Sequence, residues 1–322
     1  MMRKATKIWL ITATMLLVLG TGIFALAAAA VGFDLTRLST QKYETNVYVP
    51  NEEFSNVSIK ADTADISLVP SEDGVCRVSC YEREKVKHSV TVRDGTLVID
   101  VVDGRAWYDY IGIDFGSPKI TVSLPRSAYG VLTVKGSTGD VTVPKELTLD
   151  SIDISVSTGD VFCYASATDA VKITASTGDI RAEQVRTGTL ALSVSTGDIT
   201  ATGIVCADDA LVEVSTGKTS LSDMTCRNFT SRGDTGDIQL KNLVATEKLL
   251  IERSTGDVRL DGCDAAELFI KTDTGDVAGT LLSEKVFVTE TDTGKEQVPN
   301  TAGGGRCEII TDTGDIKISL KQ

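Results

Sequence analysis

The chain has 322 residues, is 42% hydrophobic and only 5% aromatic, and carries 45 acidic against 32 basic side chains for a net charge of −13. A chain this acidic does not hold nucleic acid or an anionic lipid surface through charge. Seven cysteines, an odd number with no Cys-x-x-Cys pair, exclude a disulfide-rich secreted scaffold.

The first element is apolar. Arg3, Lys4 and Lys7 precede an uncharged run, Ile8–Val31. As a helix that run spans roughly 36 Å, enough for a ~30 Å hydrocarbon core. Residues 1–7 read as a basic cytoplasmic end and 8–33 as a transmembrane anchor or uncleaved signal, with the remainder of the chain outside. Residues 34–50 read as a juxtamembrane linker and first strand.

Residues 51–136 alternate as β-structure but irregularly, and predict a section that caps the regular repeats. "VCRVSCY" alternates, "TVRDGTLVIDV" is a hairpin through Asp94-Gly95, and "KITVSLP" is a further strand. "RAWYDYIGIDFGSP" gathers Trp107, Tyr108, Tyr110 and Phe115. These rings read as a plug over the end of the fold or as a binding loop.

Residues 137–322 repeat. A Thr-Gly pair, mostly within "STGD", places glycine at Gly139, Gly159, Gly178, Gly197, Gly217, Gly236, Gly256, Gly275, Gly294 and Gly314, in steps of 19 or 20. Such a period marks stacked units. Seven residues before the glycine every copy is apolar; five before and two after, most are aliphatic. Spacing of two means strands with one buried face, and the change of parity across the glycine requires a bend there. Glycine supplies the positive φ, while Ser and Asp bond nearby amides. The fold class is therefore all-β: a β-solenoid of 19–20-residue coils behind one N-terminal transmembrane helix. "FSNVSIKADTADISLVP" fits the same template, with Ala64 at the glycine position. The rest of each coil reads as a looser far corner. Lys317 and Lys321 lie on what should be the end strand, where lysine discourages further pairing.

Candidate chemistry is sparse. His88 sits in an alternating strand without a partner at ligand spacing and reads as a surface or edge residue. Cys76 and Cys80 share a strand face. Cys206 and Cys226 should stack on adjacent coils, where a disulfide is conceivable and buried thiols fit better. The Asp ladder, with Asp273, Asp276, Asp312 and Asp315 densest, could hold calcium, but turn-forming Asp explains it more simply. "TAGGGRC" lacks the Lys-Ser/Thr and following helix of a phosphate loop. "RGD" at Arg232–Asp234 falls in the ladder register. No catalytic motif and no cofactor site is read.

With "GFDLTRLST", "ADTADISLVPSE", "WYDYIGIDFGSPKITVSLP" and the "STGDV" ladder, the chain resembles the bacterial "putative adhesin" family with β-strand repeats, a domain-of-unknown-function family common in Firmicutes. The resemblance implies a membrane-anchored extracytoplasmic β-solenoid without known catalytic residues, whose members often neighbour small membrane proteins and PadR-type regulators. The functional expectation is a non-enzymatic surface interaction, adhesin-like or envelope-sensing module. Its partners would be the membrane, through its helix, and an envelope protein or surface ligand. The alternatives are a structural spacer or a polysaccharide-active enzyme on a β-helix.

Overall fold

The computed structural model describes residues 4–30, 32–33, 41–106 and 116–321. One helix, Lys4–Ala30, precedes the β-structure. Within it Trp9–Ala30 has a mean hydropathy of 2.2 and is exposed along nearly its whole length, Ala28 being its one buried residue among those described. An exposed apolar helix of this length fits a membrane anchor or a signal sequence.

The rest is a β-solenoid. Strands before the repeat glycine pair in parallel and in register, so that Leu132, Ile152, Val171, Leu190, Ala210, Phe229, Leu249 and Leu268 form one stacked row. A second row lies beyond the turn: Ile66, Val141, Val161, Ile180, Ile199, Thr219, Ile238, Val258 and Val277. No coil could bury its inner face alone; stacking joins these rows into one continuous core.

The far corner is more ordered than the sequence pattern suggests. A coil holds three strand segments, as in Ile180–Glu183, Arg186–Thr187 and Thr189–Thr196. Six residues after the repeat glycine the chain turns again through positive φ, at Gln184, Gly203, Asp223, Asn242 and Gly262. Apart from Gln184 these are Gly, Asn or Asp, the residues that best tolerate that region. The side chains also stack: Asn242 Nδ2 donates to Asp223 Oδ1 at 2.8 Å.

Both ends depart from simple succession. At the start, Asn56–Thr63 lies between Ala128–Thr138 and Thr96–Asp103, parallel to both. Thr96–Asp103 and Lys119–Leu124 thus make the next layer. Val86–Arg93, Arg77–Arg83 and Tyr43–Tyr48 then close this end with antiparallel pairing. Asp94 and Gly95 form the hairpin turn, both at positive φ.

At the other end the final coil inserts between two earlier ones. Cys307 pairs with Leu268 on one side and Phe287 on the other. Ile316–Leu320 is likewise paired on both sides, with Val277–Leu281 and Glu296–Gln297. This overturns the expectation that Lys317 and Lys321 sit on the end strand. Lys285–Thr293 is the outer strand, and Lys321 instead reaches Asp261 at 3.4 Å.

Candidate functional site

The turn edge is fixed by two constraints. All the repeat glycines except Gly294 have φ between +127° and +156°. A Cβ at Gly159 would also lie 2.2 Å from the Gly139 carbonyl oxygen, and one at Gly197 2.1 Å from that of Gly178. The aspartates serve the same edge. Asp140 Oδ1 accepts from the Asp160 amide, Asp160 from Asp179 and Asp179 from Asp198, each at 2.8 Å. One oxygen of each carboxylate is thus committed to the neighbouring coil. Asp276 Oδ1 accepts from Asp315, and Asp315 Oδ1 from the Lys295 amide. Among the described residues, Asp273, Asp276, Asp312 and Asp315 do not converge into a three-ligand group.

Inside the solenoid one coil is chemically different. Arg253 is 3% exposed. Its guanidinium donates to Val214 O at 3.1 Å, Thr219 Oγ1 at 2.8 Å and Ser231 Oγ at 3.3 Å. It passes over Gly233, where a Cβ would lie 1.7 Å from Arg253 Nη1. Ser231 and Thr219 are two of the breaks in the otherwise aliphatic inward rows, and this one side chain accounts for both. Burial lowers the Arg253 pKa, and nearby Asp234 opposes that shift. Beside it Arg232 pairs across adjacent coils with Glu252 at 2.8 Å. The "RGD" tripeptide is therefore part of the strand Thr219–Thr235.

Across the far corner of four successive coils runs a groove of about 410 Å³. Leu147, Leu149, Ala167, Val205 and Ala207 supply its apolar lining, with Ser166 and Thr168 between them. The charged residues lining it, Lys145 and Arg186, are both basic on an acidic protein. Arg186 is held by its amide, which donates to Ser166 Oγ at 2.9 Å. Asp150 stands at the margin and accepts from Thr168 at 3.2 Å. Periodicity did not single out this groove, because its lining comes from the corner residues outside the two clean rows.

Trp107, Tyr108, Tyr110 and Phe115 lie outside the described residues. The flanking Gly116 packs on Tyr43: a Cβ there would meet its ring at 2.2 Å. Tyr43 in turn stacks on Tyr81, with centroids 5.0 Å apart.

His88 is not at the surface. It is 5% exposed, and its Nδ1 lies 2.6 Å from Glu82 Oε2. Sequence spacing concealed this, because the partner comes from the preceding strand of a hairpin. The alternation in "VSCYER" places Glu82 on the inward face with Val78 and Cys80, an unusual position for a carboxylate and the one signal available. All seven cysteines are buried and free, Cys206 and Cys226 included.

The model of the Toastrack DUF4097 family matches residues 54–211 and 189–322. The chain belongs to that family of β-solenoid proteins. No curated relative matches the chain. Among solved structures it is similar to a "putative lipid binding protein" from Parabacteroides distasonis, with 16% identity, coverage of 87% of this chain and 98% of that one, and a TM-score of 0.48. It is also similar to a "putative adhesin" from Bacteroides fragilis, with 17% identity, 86% and 97% coverage and a TM-score of 0.41. A "putative adhesin" from Parabacteroides merdae shares 11% identity, with 86% and 96% coverage and a TM-score of 0.46.

Proposed function

We propose that the protein is a non-enzymatic interaction module displayed outside the cell membrane, and that the far-corner groove is its contact surface. The groove is the observation that carries this reading. It combines an apolar floor with two cations on a chain whose charge is otherwise strongly negative. That pairing suits an anionic, partly apolar partner segment, bound by burial of its apolar part and oriented by Lys145 and Arg186.

The apolar helix supports display. It supplies enough length to hold the chain in a bilayer, and the basic residues before it favour the cytoplasmic side. Protease added to intact, wall-stripped cells is expected to remove the solenoid. A solenoid that stays protected would contradict display. Release without protease would show that the helix is cleaved as a signal.

A further inference from the structure

We propose that Cys80, Glu82 and His88 form a binding site for one divalent transition metal of zinc-like softness. Their donor atoms, a thiol sulfur, a carboxylate oxygen and an imidazole nitrogen, lie within 4.8 Å of one another. All three residues are buried, at 0%, 0% and 5% exposure. Thiolate, imidazole and carboxylate together are the donor set of borderline-soft ions, not of calcium or magnesium.

The local fold brings them together. Cys80 and Glu82 alternate onto the inward face of Arg77–Arg83. A tight turn returns the chain as Val86–Arg93, with Arg83 opposite Val86, and places His88 inward. Aliphatic side chains would serve a purely structural layer better, because burying a carboxylate and an imidazole costs desolvation. The thiol adds nothing to the Glu82–His88 contact, yet it stands within reach of both.

Outer partners hold the carboxylate in place. Asn46 Nδ2 donates to Glu82 Oε1 at 2.7 Å, and the His88 amide donates to Glu82 Oε2 at 2.6 Å. Such supports orient a ligand and raise its affinity. A tetrahedral ion at ordinary bond lengths spaces its donors roughly 3.3–3.8 Å apart, so the Glu82–His88 contact at 2.6 Å opens and the donors lying up to 4.8 Å apart close, each by about an ångström of side-chain adjustment. With the ion bound, M²⁺, the Cys80 thiolate, the Glu82 carboxylate and a neutral His88 imidazole sum to zero charge, as a buried site requires, and the Cys80 thiol gives up its proton to solvent.

The test uses the full-length chain in detergent, stripped with a chelator and titrated with cobalt(II). One equivalent is expected to give a thiolate-to-cobalt charge-transfer band together with tetrahedral ligand-field bands. Cys80→Ser should abolish the charge-transfer band, while Cys76→Ser should keep it. Glu82→Gln should keep the band and weaken affinity at least tenfold, and Asn46→Ala should weaken it about 10–100-fold. Absence of the band in the unmutated chain, or its survival in Cys80→Ser, overturns the proposal and leaves a hydrogen-bonded Glu82–His88 pair. Should Cys80→Ser fail to fold, unchanged cobalt affinity in both Glu82→Gln and Asn46→Ala overturns it equally.

Discussion

Asp140 Oδ1 accepts a hydrogen bond from the backbone amide of Asp160, its counterpart one coil further on, at 2.8 Å. The relationship obeys the order of stacking, not of sequence. Where the final coil inserts, Asp276 bonds the amide of Asp315, 39 residues away, and Asp315 then bonds Lys295. The "STGD" aspartate is thus a rivet between coils as well as a turn residue.

The rivet fails where the repeat departs from Asp. The Lys218 amide donates to Asp198 Oδ1, but the Lys218 side chain offers no acceptor to the Asp237 amide above it. Lys218→Asn restores a side-chain oxygen without adding a charge to the acidic edge. It is expected to raise stability by about 0.5–1 kcal/mol, the usual net worth of one such bond. Asp160→Ala should lower stability by a similar amount. Urea denaturation midpoints at constant slope measure both.

The two kinds of positive-φ position should respond differently. At Gly197 a Cβ meets the fixed backbone oxygen of Gly178 at 2.1 Å, with φ at +141°. Gly197→Ala is expected to cost about 3 kcal/mol or more. At Gly203 the nearest atom is the flexible end of Gln184, at 2.4 Å, and φ is +69°. Gly203→Ala should cost only about 1 kcal/mol. Equal losses at the two sites would show that φ alone, and not the approach of the next coil, demands glycine along the "STGD" edge.

How far the sequence reveals the fold depends on the row. Residues at offsets of seven and five before the glycine and two after it alternate cleanly, so the two main strands and the bend between them are legible. The second bend is not. Gln184, Gly203, Asp223, Asn242 and Gly262 share a backbone conformation and no single residue type. The inserted last coil is equally hidden, since a repeat pattern carries no information about which copy neighbours which. Glu82 and His88 escape because their contact depends on hairpin pairing. Arg253 leaves a trace, but only as unexplained polar residues at Thr219 and Ser231.

Arg253 gives a test of that interior cluster. Arg253→Val alone leaves Thr219 and Ser231 without their partner and opens a cavity, and is expected to cost about 2–4 kcal/mol. Adding Thr219→Val and Ser231→Ile makes the coil resemble its neighbours. The triple variant should recover to within about 1 kcal/mol of the unmutated chain, because a buried charge replaced by well-packed apolar groups loses little. Additive losses across the three positions would contradict this reading.

The buried thiols set an alkaline limit. Burial pushes Cys163 from the ordinary 9.0 up to about 12, and Cys226 and Cys307 likewise to about 12. The folded chain keeps these protons after the unfolded chain has lost them. Stability is therefore full below pH 9 and falls between pH 9 and about 12, by about 1.4 kcal/mol per pH unit for each such thiol. Cys163→Ala should make that fall shallower by one proton. In the native state at pH 7.5 a thiol reagent should find no reactive cysteine, and unfolding should expose seven.

Display of a binding groove is tested most directly by a photoreactive residue placed at Val205 in living cells. Val205 lines the groove and is 45% exposed. Irradiation is expected to give a discrete covalent adduct with an extracytoplasmic partner. The adduct should disappear when Arg186→Glu reverses the charge beside it, and should not form from the same residue placed at Val286 on the outer strand at the far end. No adduct from Val205, or an adduct indifferent to Arg186→Glu, would contradict a binding groove and leave the solenoid as a spacer.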